Sequence, residues 1–367
     1  IEAGFEAAFW DNRLYLDFTY YKTDSRNQIL KLATTAASGY TSQVRNAGHI
    51  RNRGYEIQLG AVPIQTSKGF RWNLDLNYGA NSSKVVKLDD EGLITSYRLY
   101  SSGIQILASV GEAYGTLFGT SYVRDANGNV VVDANGLPKI STTNKTLGKF
   151  TPDWTGGISN TFSYRSLSLS FLIDASVGGS IFSNTNKTGK YTGVLANTLS
   201  GRDAEHGGLW YYTAAMGNNV RLPESPSYSV SSDGLYYAQV NGQSTRVYQD
   251  GIMVEGVTES GSKNEEVVSA EKYYHRIYSI AEANVCDASY VKLREVALSY
   301  RLPRLWTQKL HLQEASVTLT GRNLWTIYKS VPNIDPESAL TTGNAQGVEA
   351  YSLPTTRSFG VNLSVKF

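Results

Sequence analysis

The sequence predicts an all-β protein whose antiparallel strands form part of a barrel that spans a membrane. Segments with period-two alternation recur along the 367 residues, as expected of strands with one apolar and one polar face. No run of about 18 apolar residues exists, which excludes a transmembrane helix, and no long stretch repeats with the helical period. Very short turns alternate with long polar connections, a pattern typical of a barrel with turns at one end and loops at the other.

The clearest strand is the last one. In residues 358–367, apolar side chains alternate without exception with small or polar ones, and the last side chain is Phe367. A soluble β-sandwich could also hold such a strand. A strand with one apolar face and a terminal aromatic residue equally fits the closing strand of an outer-membrane barrel, so the other segments have to decide.

The first segments predict a hairpin. Residues 1–10 alternate weakly, residues 11–12 form an Asp-Asn pair that favours a tight turn, and residues 13–21 alternate again. Residues 24–48 are polar and rich in Gly, Ser and Thr, so we expect a long loop there.

Two further strands favour a membrane environment. Residues 55–61 alternate and are expected to stop at Pro63. Residues 71–78 alternate between charged or amide side chains and a row that begins with Trp72 and ends with Tyr78. Aromatic residues at the two ends of an apolar row occupy the interfacial positions of a barrel strand of about 9–11 residues.

An irregular insert is expected over residues 88–150, where the motif Asp-Ala-Asn-Gly occurs twice. A small hairpin with Asp/Asn-Gly turns explains the repeat. The alternative is a calcium loop, which lacks the Glu that an EF-hand places at its twelfth position because Gly136 stands there. Such a loop would take its ligands from Asp125, Asn127, Asn129 and Asp133.

Strands return over residues 154–164 and 167–174, and a second long loop follows over about residues 178–284. We expect one or two helical turns within residues 267–283 of this loop. The final strands are predicted over residues 289–302 and 316–325, before the closing strand. The total is about nine or ten strands.

Several segments occur in an order known from one family. They are Asn46-Ala47-Gly48 with Asn52-Arg53-Gly54-Tyr55-Glu56, Phe70-Arg71-Trp72 with Asn81, Phe150-Thr151-Pro152-Asp153-Trp154, the thirteen residues 288–300, Gly321-Arg322-Asn323-Leu324-Trp325, and Asp335-Pro336-Glu337. Together they resemble the C-terminal barrel region of the SusC/RagA-type TonB-dependent transporters of the Gram-negative outer membrane. We expect positive φ at Gly48 and Gly54, where the chain enters a strand.

The resemblance implies that residues 1–367 are the C-terminal portion of a plugged barrel of about 22 strands. The resemblance also implies that the plug and N-terminal domains of the family are not part of these 367 residues. The remaining strands would come from the same gene product or from another chain, because open sheet edges are not viable in lipid.

The function implied by the resemblance is active import of oligosaccharides or peptides, with energy delivered by TonB through the missing plug. A SusD-like surface lipoprotein would cap the pore, the barrel-assembly machinery would recognise Phe367, and no cofactor is implied. Solute contacts are predicted at Trp210, Tyr211 and Tyr212, and the alternative, which general experience favours, is packing within the loop or against a partner. Outer-membrane lipid is predicted to contact Leu74, Leu76, Leu169, Phe171, Val361, Leu363 and Val365.

Arg294 poses a problem for the predicted strand over residues 289–302. By simple alternation it shares a face with Tyr290 and Tyr300, which would put a charge among interfacial aromatics. We therefore expect Arg294 near a membrane edge or at a bulge.

Other functions find less support in the sequence. The net charge of +2 and the 18% of charged residues disfavour a nucleic-acid partner. The four histidines show no metal-ligand spacing, no carboxylate pair stands out, and no G-x-S-x-G motif occurs, so we do not expect an enzyme. The lone Cys286 forms no internal disulfide. A structural or adhesive surface protein is the alternative hypothesis.

Overall fold

Strands dominate the computed structural model, which describes residues 1–33, 39–40, 42–89, 92–223, 226–309 and 311–367. Parts of the three predicted loops therefore lie outside the described residues. In chain order the strands are β1 (Glu2–Phe9), β2 (Leu14–Ala33), β3 (Ser42–Gln65), β4 (Phe70–Lys87), β5 (Ser96–Ser102), β6 (Ile104–Ser109), β7 (Tyr114–Gly119), β8 (Lys145–Lys149), β9 (Trp154–Tyr164), β10 (Leu167–Val177), β11 (Ser180–Ser183), β12 (Leu209–Thr213), β13 (Asn219–Arg221), β14 (Tyr228–Val230), β15 (Tyr236–Val240), β16 (Gln243–Ile252), β17 (Val268–Ser269), β18 (Val285–Asp287), β19 (Tyr290–Arg301), β20 (Glu314–Lys329), β21 (Val348–Glu349) and β22 (Ser358–Lys366).

Short helices interrupt the loops. Ser183 caps the helix that begins at Asn184, and Ser269 caps the helix that begins at Ala270, because each serine hydroxyl accepts a hydrogen bond from a backbone amide of the first turn. The α-helices of the described residues are α1 (Asn184–Thr192), α2 (Ala270–Tyr278) and α3 (Arg304–Lys309), and single 3₁₀ turns occur at Ala196–Thr198, Ala204–His206 and Ala281–Asn284. The helical turns predicted within residues 267–283 are confirmed by α2. No helix among the described residues is both long and apolar enough to cross a bilayer.

The main sheet of the described residues has nine strands in the order β1-β2-β3-β4-β9-β10-β19-β20-β22. All neighbours in it are antiparallel, and strands that follow one another along the sheet also follow one another along the chain. This up-and-down arrangement, with both edge strands open, is that of a barrel segment, and it confirms the predicted fold class.

The register places the two kinds of side chain on opposite faces of this sheet. Directly paired residues share a face, so a row can be followed from strand to strand. One apolar row runs through Ala7, Leu16, Leu59, Leu76, Ile158, Ile173, Leu293 and Trp325. The adjacent row on the other face runs through Glu6, Asp17, Gln58, Asn77, Gly157, Asp174 and Lys292. We call these surfaces the apolar face and the polar face.

The two ends of the sheet differ in their connections. At the short-turn end, β1 and β2 are joined by residues 10–13, β3 and β4 by residues 66–69, and β9 and β10 by residues 165–166. The predicted turn residues Asp11 and Asn12 adopt positive φ, which confirms the N-terminal hairpin. The β19–β20 connection at the short-turn end is longer and contains α3. The longest insertions, those between β4 and β9, β10 and β19, and β20 and β22, lie at the opposite end, which we call the long-loop end.

Two predicted boundaries are wrong. Residues 24–33 and 42–48, expected as loop, continue β2 and β3 in register. Strand pairing depends on backbone hydrogen bonds, so the strands continue although their side chains mix polar residues with Ile29, Leu30 and Val44. Pro63 does not end its strand either. It lies at a register shift between Ala61 and Ile64, where a missing backbone donor is tolerated.

Glycine serves two purposes near the long-loop end. Gly48 has a φ of 88°, as predicted. The prediction of positive φ at Gly54 is wrong, and the residue is required for another reason. A Cβ at this position would lie 2.6 Å from the Tyr21 hydroxyl oxygen and would also clash with the Ala80 carbonyl. The absence of a side chain lets the Tyr21 ring pass over β3, and its hydroxyl donates to Asn81 Oδ1 at 3.3 Å.

The long insertions fold into small sheets of their own. The segment predicted as an irregular insert contains the sheet β5-β6-β7-β8, and the second long loop contributes β12 to β17 and the helices α1 and α2. The buried hydrophobic clusters of the described residues are built from these insertions, from the long-loop end of β4 and from residues 330–357. The main sheet thus has its apolar face uncovered, while the apolar cores lie in the loops.

Candidate functional site

The apolar face carries aromatic residues near both ends. Toward the long-loop end, the Tyr78 ring lies 6.1 Å from that of Tyr55 and 5.4 Å from that of Trp154. Toward the short-turn end, the Trp72 ring stacks on Phe162 at 5.6 Å. The aromatic contacts join β3, β4 and β9 near the long-loop end, and β4 and β9 near the short-turn end. Aromatic girdles form this pattern at the two interfaces of a membrane barrel.

The residues predicted to contact lipid share this apolar face. Leu76 is 37% exposed and Leu169 is 39% exposed, and with their neighbours they form a contiguous apolar surface rather than isolated exposed side chains. Leu74 pairs with Ala61 and Asn160, and Phe171 pairs with Val296. Val361, Leu363 and Val365 extend the face along the edge strand β22. The structure groups these seven residues on one surface, and their contact with lipid stays a prediction.

A bulge in β19 resolves the position of Arg294. The pairing of β19 with both neighbours shifts between Leu293 and Glu295. Arg294 is the extra residue relative to β10, and on β20 it faces two residues, Asn323 and Leu324. The expectation of a bulge is therefore confirmed. The bulge also overturns the expectation that Tyr290 and Tyr300 share a face. Tyr300 pairs with Leu167 on the apolar face, whereas Tyr290 pairs with Ser176 on the polar face.

The bulge brings two cations to the polar face, where they meet carboxylates from elsewhere in the chain. Lys292 Nζ lies 2.6 Å from Asp335 Oδ1 and 2.5 Å from Glu337 Oε2. Arg294 donates to Asp174 Oδ2 at 2.8 Å through Nε and forms a two-pronged contact with Glu337. The Tyr290 hydroxyl donates to Glu337 Oε1 at 3.0 Å. We call these six residues the ionic cluster.

The ionic cluster is largely shielded from water. The Lys292 side chain is only 3% exposed and that of Asp335 is 8% exposed. Burial alone would raise the pKa of Asp335, but hydrogen bonds from Lys292 and Thr355 outweigh it and lower this pKa to about 2. The pKa of Glu337 is also lowered, because Arg294 and Lys292 outweigh its burial. Both carboxylates are therefore charged at neutral pH and hold their cations.

The cluster fixes one long connection to the polar face. Asp335 and Glu337 belong to residues 330–357, which join β20 to β22 and which we call the strap. A second anchor is the fully buried Glu349, which accepts hydrogen bonds from Ser183 Oγ at 2.7 Å and Thr185 Oγ1 at 2.6 Å. Val331 and Ile334 pack against Ile181 in a hydrophobic cluster. The strap is thus held over the polar face at the long-loop end.

The predicted solute contacts have structural roles in this fold. Trp210 and Tyr211 lie on opposite faces of β12 and are buried. Trp210 stacks on Tyr228 at 4.9 Å, and the Tyr211 hydroxyl donates to Asp250 at 3.1 Å. Tyr212 is half-buried beside the Trp210 cluster. These contacts match the alternative of packing within the loop, and a role in solute contact stays a prediction.

The calcium candidates form two separate turns. Asp125 Oδ1 accepts hydrogen bonds from the amides of Asn127 and Asn129, and Asn129 donates its side-chain amide to Asp125 Oδ2. Asp133 caps the second turn and forms an ion pair of 3.0 Å with Arg276. Their oxygen atoms are thus engaged in turn contacts, and calcium binding stays a prediction. No group of three or more His, Cys, Asp or Glu side chains in the described part of the chain is placed to hold a metal ion.

Two cavities lie at the long-loop end. One of about 380 Å³ adjoins the ionic cluster and is lined by residues of β20 and the strap. A larger one of about 720 Å³ lies between the two long loops. Sequence reasoning missed both the ionic cluster and the larger cavity. A signal for the cluster did exist, because Lys292 and Arg294 are spaced by two residues in one segment and Asp335 and Glu337 are spaced by two in another.

Comparisons with known proteins agree with this geometry. The family model described as TonB-dependent receptor-like β-barrel matches residues 1–192. TonB-dependent receptor P3 of Formosa agariphila is 26% identical over the whole chain, which covers 34% of that receptor. Receptor P26 of the same organism is 24% identical with the same coverage. The chain therefore spans about a third of the length of these curated relatives.

Solved structures share the fold. The chain aligns over its whole length with 35% of a chain in the structure of the RagAB peptide transporter, with a TM-score of 0.61 and 20% identity. The RagAB peptide importer in its 'open-open' state gives the same TM-score of 0.61 at 18% identity, with 34% of that chain covered.

Proposed function

This chain belongs to the family of TonB-dependent receptor-like β-barrels, and from that premise we propose that the protein imports oligosaccharides or peptides across the outer membrane of a Gram-negative bacterium. Energy would arrive through TonB, acting on the plug region of the family. The chain itself needs no cofactor and performs no chemistry in this scheme.

The observation that carries the proposal is the two-faced sheet with its folded long-loop end. An uncovered apolar face bounded by aromatic residues suits acyl chains, and a polar face suits a wet passage. The proposed lipid contacts are the seven apolar residues grouped above, of which the four on β4 and β10 lie on interior strands. In this proposal the strap and the long loops lie on the outer side of the membrane, where a solute would enter.

A surface lipoprotein of the SusD type is the proposed partner, acting as a lid over the long-loop end. Support comes from the fold shared with RagAB, a peptide transporter by its description. The open edges of β1 and β22 would pair with further strands of the same gene product or of another chain. We further propose that the barrel-assembly machinery recognises Phe367, which is 83% exposed.

Growth of a deletion strain tests the proposal. The strain should lose growth on one class of oligosaccharide or peptide as the sole nutrient, and the wild-type gene should restore it. Purification of the tagged protein from solubilised outer membrane should recover a lipoprotein in equal amount. Undiminished growth on every nutrient, together with loss of surface attachment, would instead favour the adhesive alternative.

A further inference from the structure

The larger cavity at the long-loop end lies outside the ionic cluster and the strap. It has a volume of about 720 Å³, within the range of roughly 300–1,000 Å³ typical of small-molecule sites. Its walls come from both long loops: Tyr122 follows β7, Tyr273 and Tyr274 belong to α2, and Met253 follows β16. The cavity therefore exists only when the two loops pack together.

The walls of the cavity are held by contacts that leave two tyrosine hydroxyls available. Tyr274 is committed, because its hydroxyl lies 3.1 Å from the carbonyl oxygens of Asn197 and Ser200. The backbone of Tyr122 is fixed by Glu282, whose Oε2 accepts from the Tyr122 amide at 3.0 Å. Within the described part of the chain, neither the Tyr122 hydroxyl nor the Tyr273 hydroxyl has a hydrogen-bond partner.

The charges at the cavity indicate a neutral ligand. Its charged lining residues, among those described, are Lys190 and Glu255, which oppose each other in sign. Lys190 is already engaged, since its Nζ donates to the Ala283 carbonyl at 2.8 Å and to Asn284 Oδ1 at 3.3 Å. An ionised peptide terminus would find no free partner cation among these residues, whereas aromatic rings and uncharged hydroxyls suit a sugar.

We propose that this cavity is a binding site for a neutral oligosaccharide segment, in which the hydroxyls of Tyr122 and Tyr273 hydrogen-bond sugar hydroxyls. The site lies among the long loops, so it would hold the saccharide before the passage is entered. This inference rests on the proposed import function and names the solute class for one site in it.

Binding to the purified protein tests the site. The protein is extracted from outer membranes in detergent with any co-purifying partner, and its affinity for neutral hexasaccharides of glucose, xylose and mannose is measured by calorimetry. Tyr122→Phe and Tyr273→Phe keep the rings and remove one hydroxyl each. Each should weaken binding of a hexasaccharide by about 3- to 10-fold, and the double variant by about 10- to 100-fold. Tyr236→Phe, a change at a tyrosine packed on Trp210 outside this cavity, is the matched control and should bind as the wild type does.

Three results would overturn the inference: no hexasaccharide binds, the double variant binds as tightly as the wild type, or a pool of hexapeptides binds and loses affinity in the same variants. Uptake of oligosaccharides and peptides by cells is measured separately. If the wild-type protein imports solute and the double variant binds the hexasaccharide with undiminished affinity, the binding site at Tyr122 and Tyr273 is refuted, while the proposed import function stands. A wild-type protein that supports no import refutes the proposed function itself.

Discussion

Replacing Glu337 with alanine should release the strap from the polar face. The Glu337 carboxylate is shared by Lys292, Arg294 and Tyr290. Its removal leaves the buried Lys292 with Asp335 as its only carboxylate partner in the cluster and the half-buried Arg294 with Asp174. Removing one partner of a buried ion pair costs about 3–5 kcal/mol, and the 26% exposure of Glu337 places the cost at the lower end. A loss of about 3 kcal/mol corresponds to a more than hundredfold rise in the equilibrium constant for local opening of the strap.

Hydrogen exchange of the strap in the intact protein measures this opening. The amides of Ser338 and Leu340, which donate to the carbonyls of Asp335 and Val348, should exchange more than about a hundredfold faster in Glu337→Ala. Glu295→Ala is the matched control, because Glu295 pairs with Arg322 at 2.8 Å on an exposed surface and should cost at most about 1 kcal/mol. Strap exchange equal to that of the control would refute the assignment of the cluster as the anchor.

Three further predictions concern the faces, the glycine contact and acid sensitivity. Leu169→Arg should cost about 2–4 kcal/mol and reduce the heat-modifiable, assembled form in outer membranes, whereas Ser170→Arg on the polar face should assemble normally; equal yields would contradict the face assignment. Gly54→Ala should destabilise the protein by about 1–3 kcal/mol, measured as a lower temperature of unfolding on gels. Gly60→Ala, whose Cβ would lie 3.4 Å from its nearest neighbour, should change this temperature little. The pKa of Asp335 is lowered to about 2 from its ordinary 3.8, so the ionised carboxylate contributes about 2 kcal/mol to the stability of the folded strap. This contribution is present above about pH 4 and is lost as the pH falls through about 2. Pepsin should therefore cleave the strap at pH 2 but not at pH 4, and Asp335→Asn should remove this difference; a strap cleaved equally at both pH values in the wild type would be inconsistent with it.

The main sheet was predictable because its signal is local. Alternation over eight to eleven residues identifies strands such as β9 and β10, and the two-residue turn at Arg165 follows from the same pattern. The extensions of β2 and β3 were not predictable from alternation, since their polar and apolar residues do not alternate regularly and so lack the periodic contrast that identifies a strand. Backbone pairing, which the side-chain pattern does not report, decides their length.

The site depended on contacts between distant segments. Lys292 and Glu337 are 45 residues apart, and only the bulge at Arg294 turns the cations toward the strap. A bulge of one residue leaves little trace in the sequence, although the two charges of Lys292 and Arg294, in a row that continues with apolar residues, were a usable signal for it. The cavity between the long loops joins Tyr122 to Tyr273, which no local pattern connects.

Spin-label accessibility along β10 is the most direct test of a membrane barrel. Single cysteines from Leu167 to Asp174, in a Cys286→Ser background, would carry nitroxide labels in the intact protein reconstituted in lipid bilayers. Oxygen, which concentrates in acyl chains, should relax the labels at 167, 169, 171 and 173, and a water-soluble nickel chelate should relax those between them. Equal access of the nickel chelate to both sets would contradict the placement of the apolar face in lipid.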